Sequence, residues 1–136
     1  MDILSPEERS NRMRRIRSKN TKPELAVRRL VHGMGYRYRL SVQAMPGTPD
    51  LVFSRFHKVI FVHGCFWHRH GSRSCRLARL PKSRLDYWKP KLEANRRRDL
   101  KAVAALHKLG WASLTVWECE IKDLSALAGR ITAFLA

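Results

Sequence analysis

Two spacings of apolar residues divide this chain into strands and helices. Val59-Ile60-Phe61-Val62, entered through Lys58, is a short continuous apolar run, as in a strand buried on both faces. Leu51-Val52-Phe53 is a second such run, and Ser54 to His57 between the two predicts a hairpin turn. Tyr36-Arg37-Tyr38-Arg39-Leu40 alternates with period two, as a half-exposed strand does, and Trp111 to Trp117 supplies a further strand. Helical spacing begins at Thr21-Lys22-Pro23-Glu24, which offers a capping hydroxyl, an early proline and an acid three residues on. Leu25, Val27, Leu30, Val31 and Met34 form that helix's apolar side, and Gly33 and Gly35 end it. Leu85 to Glu93 predicts a helix interrupted or restarted at Pro90. Arg96 to Lys108 predicts a clearer one, with Leu100, Val103, Ala104 and Leu106-His107 inward and Gly110 past its end. Asp123 to Leu135 closes the chain with Leu124, Leu127, Ile131 and Leu135 at helical spacing. Strands and helices alternate without repeats or linkers, so the fold class is α/β with a mixed sheet, in one domain over 1–136.

One helix does not fit that core. Ser5-Pro6-Glu7-Glu8 is a strong helix start, but the stretch to Arg17 has only Met13 and Ile16 apolar, among Arg9, Arg12, Arg14, Arg15 and Arg17. Residues 1–20 therefore read as a basic helical arm, either solvated or laid on DNA. The whole chain agrees in sign: 28 Lys+Arg against 11 Asp+Glu give a net charge of +17. With 44% hydrophobic residues this is no disordered tail, but a folded protein that meets a polyanion. No apolar run approaches the roughly 18 residues of a membrane span, which makes nucleic acid the expected partner. The first ten residues lack the apolar core of a signal peptide, so a cytoplasmic setting with reduced cysteines is expected.

The apolar strand Val59–Val62 runs into His63-Gly64-Cys65-Phe66-Trp67-His68-Arg69-His70, a loop of imidazoles, a thiol and two large aromatics. Such side chains leaving a rigid strand suggest either a reactive site or a zinc-stapled turn. Cys65, His70, Cys75 and Cys119 would close a tetrahedral shell around a structural zinc, the alternative being three buried thiols. Asp50 follows the rigid turn Pro46-Gly47-Thr48-Pro49 at the mouth of a buried strand, where it is a turn former or a hard-metal ligand of the kind Mg²⁺ takes. His63 and His68 are not needed for zinc and can act as base and acid in phosphodiester cleavage. Glu24, by its position, is a capping carboxylate.

At Pro46-Gly47-Thr48-Pro49-Asp50, His63 to His70 and Val116-Trp117-Glu118-Cys119, the sequence closely resembles the very-short-patch-repair (Vsr) DNA mismatch endonucleases. The likeness runs from Arg9 to the end of the Trp111 strand. It implies a restriction-endonuclease-like mixed sheet flanked by helices, a structural zinc, and Mg²⁺-dependent nicking of one strand 5′ to the thymine of a T·G mismatch. By position it makes Asp50 the metal-binding aspartate, His68 the catalytic histidine and His63 the second active-site histidine. It gives Glu24 a second role, holding metal-bound water or orienting a histidine. Cys65, His70, Cys75 and Cys119 fall on zinc positions, and Phe66, Trp67 and Met13 on side chains that wedge into DNA beside the mismatch. Val62 stands where restriction enzymes commonly carry an acid; the family uses a backbone carbonyl there. The stretch from His70 to Cys75 is longer than usual for the family. A bacterial, nucleoid-associated monomer, working with mismatch-repair accessory proteins, completes the expectation.

Overall fold

The structure, a computed structural model, describes residues 21–65 and 85–136. Helix α1, Lys22–Gly33, is followed by strands β1, Arg39–Leu40, β2, Leu51–Phe53, and β3, Lys58–His63. Helix α2, Leu85–Lys108, leads to strand β4, Ala112–Trp117, a 3-10 helix, Glu118–Lys122, and helix α3, Leu124–Leu135. The sheet order is β1-β2-β3-β4, with the first three strands antiparallel and β4 parallel to β3. This is a mixed sheet of α/β class, as the alternating pattern predicts.

Strand alternation sorts the core into two layers. Leu51, Phe53, Ile60, Val62 and Val116 meet Val27 and Val31 of α1 and Leu127, Ile131 and Leu135 of α3 on one face. Val52, Val59 and Phe61 meet Leu106 of α2 on the other. Both faces of β3 are therefore covered, and Val59 to His63 are buried throughout. A fully buried Ile such as Ile60 contributes about 1.5–3 kcal/mol, so this strand is firmly seated.

The helix ends follow local rules. Thr21 accepts the Glu24 amide at 3.4 Å and caps α1. At its far end Gly35, with φ +95°, donates to the His32 carbonyl while the Tyr36 amide reaches Val31, the paired bonds of a Schellman cap. The same pair of bonds, Gly110 to His107 and Trp111 to Leu106, closes α2. Trp111 then packs on the layer containing Leu106. The hairpin at Ser54 to His57 forms as expected and joins β2 to β3 in the register Leu51 to Ile60.

Three expectations need correction. Helix α2 runs unbroken through Pro90. The proline removes one hydrogen bond early in the helix, but Leu92 just beyond it is fully buried, and the Lys91 amine bridges back to the Tyr87 hydroxyl at 3.4 Å. Its inner side is Leu92, Ala102 and Leu106 with Val103, whereas Leu100, 62% exposed, faces outward with Ala104 and His107. The strand expected over 36–40 narrows to Arg39–Leu40. Tyr36 and Tyr38 instead lay their rings edge-on against Phe53, and Ser41 turns the chain at φ +45°.

Candidate active site

The turn before β2 decides where Asp50 stands. Thr48 donates to the Met45 carbonyl at 3.0 Å, with Pro46 and Gly47 (φ +75°) between, the sequence and torsion of a type II turn. Thr48 itself lies at φ +46°, an uncommon conformation for a β-branched residue, two residues before the carboxylate. The surroundings hold it there. A Cβ on Gly47 would lie 2.6 Å from the Ala102 Cβ of α2 and 3.1 Å from the Phe61 ring. The turn is thus pressed onto α2 and β3, and only glycine meets both the torsion and the space. Gly47→Ala is expected to lower unfolding free energy by about 2–4 kcal/mol, the sum of a left-handed torsion and an overpacked contact. Urea unfolding checks this; a loss below about 0.5 kcal/mol would mean that the turn is not clamped.

Asp50 is seated between two strands. Its carbonyl accepts the Ser41 amide at 3.3 Å, and its Oδ2 accepts the Val62 backbone amide at 2.6 Å. That charge-assisted bond fixes the plane of the carboxylate against β3. In extended backbone the N–H and C=O of one residue point toward the same neighbour, so Val62 turns its carbonyl to the side from which Asp50 approaches. A carboxylate and a backbone carbonyl converging at a strand end make an all-oxygen donor pair. Mg²⁺ binds through such small sets and keeps waters for the rest. No cluster of three His, Cys, Asp or Glu encloses a metal among the described residues.

His63 ends β3 and is 7% exposed. Its ring sits 5.6 Å from Phe61, two residues back on the same side of the strand, and 5.4 Å from Trp117 at 76°. Trp117 is its parallel partner in β4, which explains the meeting. Glu24, on the first turn of α1, is 8% exposed and pairs with Arg28 at 3.3 Å. The Arg28 carbonyl in turn accepts the Tyr38 hydroxyl at 3.0 Å. The capping bond runs from the Glu24 amide to Thr21, and the Glu24 carboxylate pairs with an arginine one turn on. Cys65 is fully buried two residues beyond His63, and Cys119 lies two beyond Trp117. Because His63 and Trp117 are paired, the two cysteines leave adjacent parallel strands at matching positions.

The described residues thus bring together Asp50, the Val62 backbone and His63, and bring Cys65 and Cys119 to neighbouring strand ends. Met13, Phe66, Trp67, His68, His70 and Cys75, with the whole arm 1–20, lie outside the described residues. Sequence reading missed Arg28 and Trp117. The four-residue spacing of Glu24 and Arg28 on one helix face was a usable signal for the first. The second depends on strand register, which leaves no local trace.

Residues 1–75 match the family model described as DNA mismatch endonuclease Vsr. The type II nicking enzyme V.XorIIP of Xanthomonas oryzae pv. oryzae is 57% identical over 134 residues, covering 98% of this chain and 96% of that relative. The type II nicking enzyme V.NmeAIP of Neisseria meningitidis is 41% identical, covering 96% and 91%. The DNA mismatch endonuclease Vsr of Escherichia coli K12 is 37% identical over 126 residues, covering 93% of this chain and 79% of its own length.

Proposed function

Because the chain belongs to the Vsr family of DNA mismatch endonucleases, we propose that it nicks one strand of duplex DNA 5′ to the thymine of a T·G mismatch, using Mg²⁺, in very short patch repair. The observation that carries this reading is the Asp50 carboxylate held by the Val62 amide at the end of β3, one residue before His63. Asp50 and the Val62 carbonyl would hold Mg²⁺, which supplies charge neutralisation at the scissile phosphate and an acidified water. His68 and His63 divide the proton work: one imidazole takes the proton of the attacking water, and the other returns a proton to the leaving oxygen. Glu24, kept inward by Arg28, orders water or a histidine beside them. The mixed sheet with helices on both faces is the scaffold of a restriction-endonuclease-like domain.

Recognition falls to the basic arm and to the loop after β3. Arginines of 1–20 neutralise phosphates irrespective of sequence. Phe66, Trp67 and Met13 wedge into the stack at the mismatch, where a T·G wobble costs less to open than a matched pair, and stacking plus bending offset that cost. Cys65, His70, Cys75 and Cys119 would hold a structural Zn²⁺. The enzyme works as a monomer on bacterial DNA. No helix among the described residues is long and apolar enough to cross a membrane.

A panel of end-labelled duplexes, identical but for T·G, C·A, T·T or a matched pair at one position, tests the substrate assignment. The T·G duplex is expected to be nicked at least about a hundredfold faster than the matched one, as two stacked aromatics at about 1–3 kcal/mol each can provide. Equal rates across the panel would contradict mismatch recognition.

A further inference from the structure

We propose that Glu120 and Arg130 form a latch that positions His63 through Trp117. It rests on the reading of His63 as a proton-transfer group in the nicking reaction.

The connection is continuous from the outer helix to the imidazole. Arg130, on α3, places one guanidinium nitrogen 2.5 Å from each Glu120 carboxylate oxygen. Glu120 Oε1 also accepts the backbone amide of Trp117 at 2.9 Å. Trp117 is the last residue of β4, and its indole meets the His63 ring edge-on at 5.4 Å. Phe61 also meets the His63 ring, with centroids 5.6 Å apart. Thus Phe61 belongs to the sheet core, whereas Trp117 stands where the strand gives way to the five-residue 3-10 helix Glu118–Lys122.

That helix contains no fully buried residue, and its apolar anchorage is the partly buried Ile121, which packs against the core layer of α1 and α3. Its start, next to Trp117, is held by polar bonds: Trp117 to Glu120, and Glu120 to Arg130 of α3. The Arg130 side chain is 43% exposed, and an ion pair so placed adds little to global stability. Its effect is geometric. A histidine that moves a proton must keep hydrogen-bond reach of the reacting oxygens, and a displacement of about 1 Å can cost about a hundredfold in rate. A neutral substitution in the latch lets the Trp117 end of β4 relax and loosens one wall of the imidazole's cradle.

Single-turnover nicking of a T·G duplex by Arg130→Ala, Glu120→Gln and Arg130→Lys, each alone and combined with His63→Ala, tests the latch. Zinc content and thermal midpoint are measured alongside, because Cys119 lies between Trp117 and Glu120. Arg130→Ala and Glu120→Gln are expected to slow nicking about tenfold while the concentration for half-saturation stays within twofold. Arg130→Lys should recover part of the rate, and zinc content should not change. In the His63→Ala background the latch variants should add no further loss, because there is no imidazole left to misplace. In histidine-labelled protein the His63 ring resonance should shift in Arg130→Ala, as its aromatic neighbour moves. Full activity of Arg130→Ala, the same tenfold loss without His63, or loss of zinc with activity would each overturn the latch. A His63→Ala enzyme of wild-type rate overturns it too, but by removing the role of His63; failure of the latch alone leaves His63→Ala defective and Arg130→Ala intact.

Discussion

Asp50→Asn is expected to slow nicking by at least about a thousandfold while the protein folds and binds mismatched DNA as before. The substitution separates charge from geometry. An asparagine oxygen can still accept the Val62 amide that Asp50 Oδ2 now accepts at 2.6 Å, so the junction of β2 and β3 keeps its hydrogen bond. What goes is the negative charge that would hold Mg²⁺ against the phosphate. About 4 kcal/mol of lost transition-state stabilisation corresponds to the thousandfold decrease, the upper range for removing one preorganised electrostatic group. Non-specific affinity should hold or rise slightly, since one repulsive charge near the phosphates is removed. Single-turnover nicking with binding measured in parallel is the test, and a variant within tenfold of wild type would move the metal away from Asp50.

The second large effect concerns zinc. The protein is expected to carry about one Zn²⁺ per chain, and Cys119→Ser to lose it together with mismatch nicking. Cys65 and Cys119 each lie two residues past the paired ends of β3 and β4, so a metal held by both would tie those strand ends to the segment carrying Phe66, Trp67 and His68. Structural zinc contributes about 10–16 kcal/mol in small peptides, far more than the loop could recover from burial of its own. The sheet should survive, because its two core layers do not depend on either cysteine alone. Metal analysis and circular dichroism of wild type and Cys119→Ser check this. Full activity in zinc-free protein would refute it. Cys75→Ser tests the longer spacing from His70: zinc retained there means that another group completes the shell.

What the sequence disclosed was what local chemistry controls. Gly35 and Gly110 announced the ends of α1 and α2 because a Schellman cap needs a left-handed residue at one defined place. The runs Leu51–Phe53 and Val59–Val62 announced buried strands because both their faces are covered. The rigid turn before Asp50 was legible from Pro46-Gly47-Thr48-Pro49, and its left-handed Gly47 and Thr48 are what that sequence has to accommodate. Errors arose where distant packing overrode local preference. Pro90 suggests a break, yet Leu92 beyond it is fully buried and the helix continues, while Leu100 faces outward although Val103 and Leu106 face in. The second role proposed for Glu24 comes from family resemblance alone, whereas its Arg28 pair is a four-residue helix spacing that the sequence carried. Trp117 beside His63 could not be read at all, since the residues are 54 positions apart in the chain and meet only through the parallel register of β3 and β4.

The most direct test of Mg²⁺-dependent, strand-specific nicking at a T·G mismatch is a cut-site map on a duplex labelled separately on each strand. The reaction is run with zinc-loaded enzyme in buffer with and without added Mg²⁺, rather than with a chelator that would also strip zinc. One cut is predicted, immediately 5′ to the mismatched thymine, in the thymine strand only and only when Mg²⁺ is present. Cleavage of both strands, a cut elsewhere, or an equal rate without Mg²⁺ would contradict the account.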